Sequence, residues 1–179
     1  MVRESVPQFV LNEKINIKNH KYYVHDYDQS HKKELLLEKK FFSKPTTALN
    51  LDLLKKVALW KSPRSAGHVS NNTNEYVQEI TSFSLRTKEE RARIEAITIL
   101  SGVGWPMASV ILHFFHKDPY PILDFRALRS FNVEQPNQYH FEFWMAYVEA
   151  CRNLSKKFSV DMRTLDKVLW MYDKSTHKE

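Results

Sequence analysis

Glycine is nearly absent from this chain of 179 residues, which has three. Two of them stand two apart, in Leu100-Ser101-Gly102-Val103-Gly104-Trp105-Pro106. Glycine reaches φ > 0 without strain and lets another group approach the backbone closely, so this pair marks a special turn. Cysteine is scarcer still. A lone Cys151 excludes an internal disulfide, and it excludes a Cys₄ zinc site or a cysteine-ligated iron–sulfur cluster within one chain. No apolar run reaches the roughly 20 residues of a membrane span. The opening Met-Val-Arg-Glu-Ser-Val-Pro lacks the uninterrupted apolar stretch of a secretory leader. A cytoplasmic monomer without membrane contact is the expectation.

What is present is enough for a core. Apolar residues are 42% and aromatics 13% of the chain, so it folds rather than staying disordered, as one domain over 1–179. The net charge of +6 is uneven. Residues 1–64 hold 13 Lys/Arg against 7 Asp/Glu, and residues 65–179 hold 14 against 14. The excess, in stretches such as Lys39-Lys40, Lys55-Lys56, Lys61 and Arg64, favours polyanionic partners, with acidic membrane surfaces and simple solubility as alternatives.

Apolar periodicity predicts an all-α chain. Residues 29–42 read as a charged helix, 51–61 as a helix capped by Asn50, and 65–74 as a polar loop. Tyr76, Val77, Ile80 and Phe83 mark a further helix. Thr87-Lys88-Glu89-Glu90 matches a capping box launching the next one. Pro106 suits the first turn of the helix after the glycines. Phe141, Trp144, Val148 and Cys151 carry period 3.6, as do Met162, Leu165, Val168, Leu169 and Tyr172. Only Ile15, Ile17, Tyr22 and Val24 hint at alternation, which predicts a short strand or extended N-terminal arm.

The glycines thus sit between two helices, roughly over 88–116, with the second helix's amides open to an anion such as a phosphate. Pro121-Ile122-Leu123-Asp124 follows, placing an acid 22 residues past Gly102 at the mouth of a short helix, with Arg129 beyond it.

Together the glycine hairpin, the small Ala108, Asp124 at that spacing and Arg129 resemble the helix-hairpin-helix DNA glycosylases over about residues 94–131. The Pro-Ile-Leu-Asp wording is nearest to that of the adenine-mismatch members. The resemblance implies a bilobal helical bundle in which the hairpin (Gly102, Val103, Gly104, Trp105) grips double-stranded DNA and a flipped nucleotide enters a pocket. It implies Asp124 as the catalytic carboxylate and Arg129 as a DNA contact. It also implies work beside the nucleoid or nuclear DNA, and a monovalent cation on the carbonyls around Leu100, Gly102 and Val103. Members that also cut the strand carry a Schiff-base lysine where this chain has Pro106, so a monofunctional enzyme is implied. The iron–sulfur branch of the family is excluded by the single cysteine.

The chemistry suits one carboxylate. Breaking an N-glycosidic bond builds positive charge on the sugar, and an ionised acid beside it stabilises the transition state. The same acid orients or deprotonates the attacking water. A plain helix N-cap is the other reading of Asp124. Trp60, Lys61 and Arg64 lie where the family places the loop that fills the gap left by a flipped base: Trp60 to stack, Lys61 and Arg64 to hold phosphate. Otherwise Trp60 is core. Tyr22 and Tyr23, with Tyr27, read as base pocket, DNA-contacting arm or core. Arg126 and Arg129 read equally as phosphate contacts or partners of helix carboxylates. His113 and His116 are three apart but lack a third ligand at suitable spacing, so no metal is expected. The competing functional readings are a hairpin protein that binds DNA without chemistry and a helical interaction protein whose basic end is incidental.

Overall fold

The protein, described here by a computed structural model over residues 5–177, is all-α. Its helices are α1 His20–Ser30, α2 Lys32–Leu37, α3 Leu51–Lys61, α4 Ala66–Val69, α5 Asn74–Arg86, α6 Glu90–Thr98, α7 Trp105–Phe115, α8 Phe125–Arg129, α9 Phe141–Phe158 and α10 Met162–Thr176. Short 3₁₀ turns cover Ile17–Asn19 and Pro63–Ser65, and a π turn covers Glu38–Phe42. Among the described residues there is no strand, and no helix is long and apolar enough to cross a membrane. The chain divides into two units: His31–Ile122, and a split unit made of the described parts of Met1–Ser30 and Leu123–Glu179.

In the continuous unit α7 is the central helix. Six consecutive residues, Met107 to Leu112, are buried, as expected of a helix covered on all sides. It packs against α3 and α6, and α6 packs on α5. Buried hydroxyls fasten these layers. Thr81 Oγ1 accepts from the Leu49 amide at 2.8 Å, and Ser84 Oγ donates to the Arg93 carbonyl at 2.8 Å. Asn50 caps α3 through Leu53 N at 2.8 Å, as its sequence position predicts.

In the split unit α10 packs against α1, α8 and α9. Its buried face is Met162, Leu165, Val168, Leu169 and Tyr172, the face that periodicity marks out. The facing residues on α9 include Trp144, Tyr147, Val148 and Cys151. Residues 5–16 carry no helix. Phe9 anchors them by edge contacts to Phe131 and Phe143, and Asn12 N donates to the Ser130 carbonyl at 2.9 Å.

Four local expectations are corrected. Tyr22 and Val24 are helical, not extended: Asn16 Oδ1 accepts from Lys18 N at 3.1 Å and starts a turn that runs into α1. The helix expected over 29–42 breaks at His31, whose φ −123 and ψ 41 lie outside the helical region. The 65–74 loop contains α4, whose Val69 is fully buried. Glu89, not Thr87, caps α6: its carboxylate accepts from Ala92 N, while Thr87 Oγ1 only takes the Glu89 amide at 3.3 Å.

Candidate functional site

The turn between α6 and α7 depends on one glycine rather than two. Gly102 has φ +78, and a Cβ there would lie 2.8 Å from Val69 N and 2.9 Å from His68 Cβ. The turn therefore lies directly on the end of α4. Gly104 is the N-cap of α7 with φ −97 and ψ 178, and a Cβ on it would meet nothing nearer than 3.8 Å. The expectation that both glycines answer a backbone need is corrected to Gly102 alone.

A side chain that sequence reasoning missed completes the turn. Buried Asn72 accepts from Ser101 N at 2.9 Å and donates to the Ser101 carbonyl at 3.0 Å and the Val69 carbonyl at 2.9 Å. Its signal was only an Asn71-Asn72-Thr73-Asn74 run in a stretch read as polar loop. Val103 N donates to the Leu100 carbonyl at 3.0 Å. Among the described residues the Gly102 and Gly104 amides have no hydrogen-bond partner. Ser101 and Gly104 are exposed, Gly102, Trp105 and Pro106 half-buried, and Leu100 and Val103 buried. Pro106 lies in the first turn of α7, where its missing N–H leaves no bond unmade.

Lys61 is the last residue of α3 and is half-buried, while Arg64 is exposed in the 3₁₀ turn that follows. This segment continues into α4, the helix that Gly102 abuts, so both cations belong to the same region as the turn. Trp60 is held inward. Its Nε1–H donates to Glu38 Oε1 at 3.2 Å and its ring meets Phe114 edge-on at 5.4 Å, and the residue as a whole is half-buried.

In the split unit Asp124 is half-buried and caps α8, its Oδ1 accepting from Arg126 N at 3.0 Å. Two phenols feel its charge. Burial, and after it Asp124, pushes Tyr139 up to about 12. Tyr147, fully buried, is pushed well up by its burial first, with Cys151, Asp166 and Asp124 adding to the effect.

Arg129 and Arg126 converge on one acid. Arg129 Nη2 lies 2.7 Å and Arg126 Nη1 3.0 Å from Asp173 Oδ2, and Asp173 is fully buried on α10. His177 Nδ1 stands 3.0 Å from the other carboxylate oxygen. Of the two readings of these arginines, the carboxylate pairing is present; Arg129 keeps a quarter of its side chain exposed. Tyr22 is exposed on α1 and Tyr23 half-buried, with ring centroids 5.5 Å apart. Asp26 raises the Tyr22 phenol. Tyr27 is buried against Trp170, edge-on at 5.7 Å, and its hydroxyl accepts from Arg163 Nη2 at 3.0 Å.

His113 on α7 and His116, the C-cap of that helix, have structural partners. His113 Nδ1 lies 2.7 Å from the Tyr120 carbonyl. His116 Nδ1 accepts from Asp118 N at 3.0 Å, and its Nε2 faces the buried Arg93 guanidinium. Burial first, and Arg93 second, hold the His116 pKa below its ordinary value.

Compared with known proteins, the chain matches no protein-family model, no curated protein and no solved structure.

Proposed function

We propose that the chain is a monofunctional DNA N-glycosylase that flips a damaged, mismatched or modified base and hydrolyses its glycosidic bond. What carries the reading is the occurrence, on one stretch of chain, of two features. One is a turn closed at Gly102 with two unpartnered amides and a helix N-terminus beside it; the other is the half-buried carboxylate of Asp124 heading α8. The first suits a helix-hairpin-helix grip on a phosphate of double-stranded DNA, with Trp105, Lys61 and Arg64 adding contacts. The second suits the sugar. As the C–N bond breaks, positive charge grows on the deoxyribose ring, and the carboxylate of Asp124 stabilises it. The same carboxylate orients the water that attacks the anomeric carbon and accepts its proton, while the base leaves with the bonding electron pair. Pro106 offers no amine, so the product is an intact strand with an abasic site.

A monovalent cation fits the turn. The Gly102 and Val103 carbonyls have no hydrogen-bond partner among the described residues and would hold it together with Leu100. The cation would add positive charge where the phosphate docks.

A second reading, DNA binding without chemistry, is favoured by the bond from Arg126 N to Asp124, which gives the acid a structural task as the N-cap of α8. Incubation with a panel of duplexes carrying modified or mismatched bases, followed by alkali, separates the two. The enzyme reading expects strand breaks after alkali only and no adduct trapped by borohydride. DNA binding with no breaks on any duplex would leave the binding-only reading.

A further inference from the structure

A cleft of about 560 Å³ opens in the split unit between the N-terminal segment and the loop leading into α9. That volume lies in the range of small-ligand sites. Four carboxamides line it, Gln8, Asn132, Gln135 and Asn137, with His140 and Phe143 beside them. Among the described residues no lysine or arginine lines it, and Glu134 is the one acid. Among those residues a phosphate or carboxylate ligand would find no lysine or arginine to pair with, and an apolar one would leave the amides unmatched.

The amides are poised for use. Among the described residues the side chains of Gln8, Gln135 and Asn137 have no hydrogen-bond partner. Asn132 is held in the left-handed region at φ +56, a conformation that a non-glycine residue adopts at some strain, and Asn12 Nδ2 fixes its side chain by donating to Oδ1 at 3.0 Å. Phe143, which also lines the cleft, is buried against Phe9 and in edge contact with Tyr139 at 5.6 Å. A carboxamide presents a donor and an acceptor side by side, which matches the polar edge of a heterocyclic base; Asn and Gln read adenine in this way.

We propose that this cleft binds a neutral nucleobase, read on its donor–acceptor edge by Gln8, Gln135 and Asn137 and flanked by Phe143. The cleft is tied to the carboxylate through Tyr139, which touches Phe143 and feels the charge of Asp124. The inference rests on the glycosylase reading for what delivers the base, and it names the part of the molecule that chooses it.

Saturation-transfer NMR on the full chain with adenosine, guanosine, cytidine and thymidine tests it. Gln135 and Asn137 are exposed in an irregular loop, so Gln135→Ala/Asn137→Ala keeps the fold, which circular dichroism checks. The expected result is transfer to the base protons of at least one nucleoside. Affinity should fall about tenfold or more in the double variant, the scale of one lost bidentate pair, and gain nothing when the nucleoside is replaced by its monophosphate. No transfer from any nucleoside, or transfer unchanged in the double variant, overturns the pocket. The duplex panel, run in parallel, separates the two proposals. Nucleoside binding without excision removes the glycosylase and keeps the pocket. Excision with unchanged base preference in the double variant removes the pocket and keeps the glycosylase.

Discussion

The turn before α7 and the short helix α8 fix a few residues of chain by opposite means. The turn uses shape: a positive φ at Gly102, backbone contact with α4, and an asparagine that mimics a peptide group. Helix α8, only five residues long, uses charge: Arg126 and Arg129 are drawn to Asp173, which has no exposure of its own. A shape-fixed element tolerates salt and pH but not one added carbon atom. A charge-fixed element tolerates added carbon but not the loss of its counter-ion.

The largest expected effect breaks the charge side. Asp173→Ala leaves two guanidiniums partly buried without their acid, and about 3 kcal/mol or more of stability should go, seen in the urea midpoint. A loss below about 1 kcal/mol would mean that α8 is held by Ala127 and Leu128 packing instead. Of similar size, but read in rate rather than stability, is Asp124→Asn. Single-turnover excision should drop about 10²–10³-fold with folding and DNA affinity kept. A wild-type rate would end the catalytic assignment.

The shape side is tested by a matched pair. Gly102→Ala should lose roughly 2 kcal/mol or more, since a left-handed non-glycine residue alone costs about 1–2 kcal/mol and the new Cβ would press on Val69 N. Gly104→Ala should lose under about 1 kcal/mol, the modest difference between these residues at an N-cap. Equal losses in thermal melts would contradict the assignment of the turn to one glycine.

The smallest effect is a pH slope. Unfolded His116 takes a proton near its ordinary 6.5, whereas the folded group, buried beside Arg93, takes it only at lower pH. Below pH 6.5 the unfolded state therefore binds more protons and stability falls as pH drops, by up to about 1.4 kcal/mol per unit. His116→Gln should flatten that part of the stability–pH curve; an unchanged slope would place the titration elsewhere.

Local signals were legible in the sequence, and distant ones were not. Asn50, the faces of α9 and α10, the turn at 102 and the first-turn Pro106 all follow from residues within a few positions of each other. Asp124 as a helix N-cap was readable from its place before Phe125-Arg126-Ala127-Leu128. The partner of Arg129 lies 44 residues away on another helix, and nothing in either segment announces it. Asn72 reaches Ser101 across 29 residues, so the turn was visible but its support was not. At Glu89 a longer side chain won a competition with Thr87 that the capping-box pattern alone could not decide.

The split unit also sets an order of events during synthesis. Lys167 Nζ meets Asp28 Oδ1 at 2.6 Å across 139 residues, and α1 finds its principal packing partner in α10. When α1 leaves the ribosome, the larger part of that unit, Leu123–Glu179, has yet to be made, while every helix of His31–Ile122 is complete before α8 emerges. The continuous unit can fold first. By folding it shortens the effective loop that must close when α10 meets α1, lowering an entropy that grows with loop length. Until then the apolar side of α1, with Tyr27 at its centre, waits uncovered, the exposure during which nascent chains aggregate or recruit chaperones.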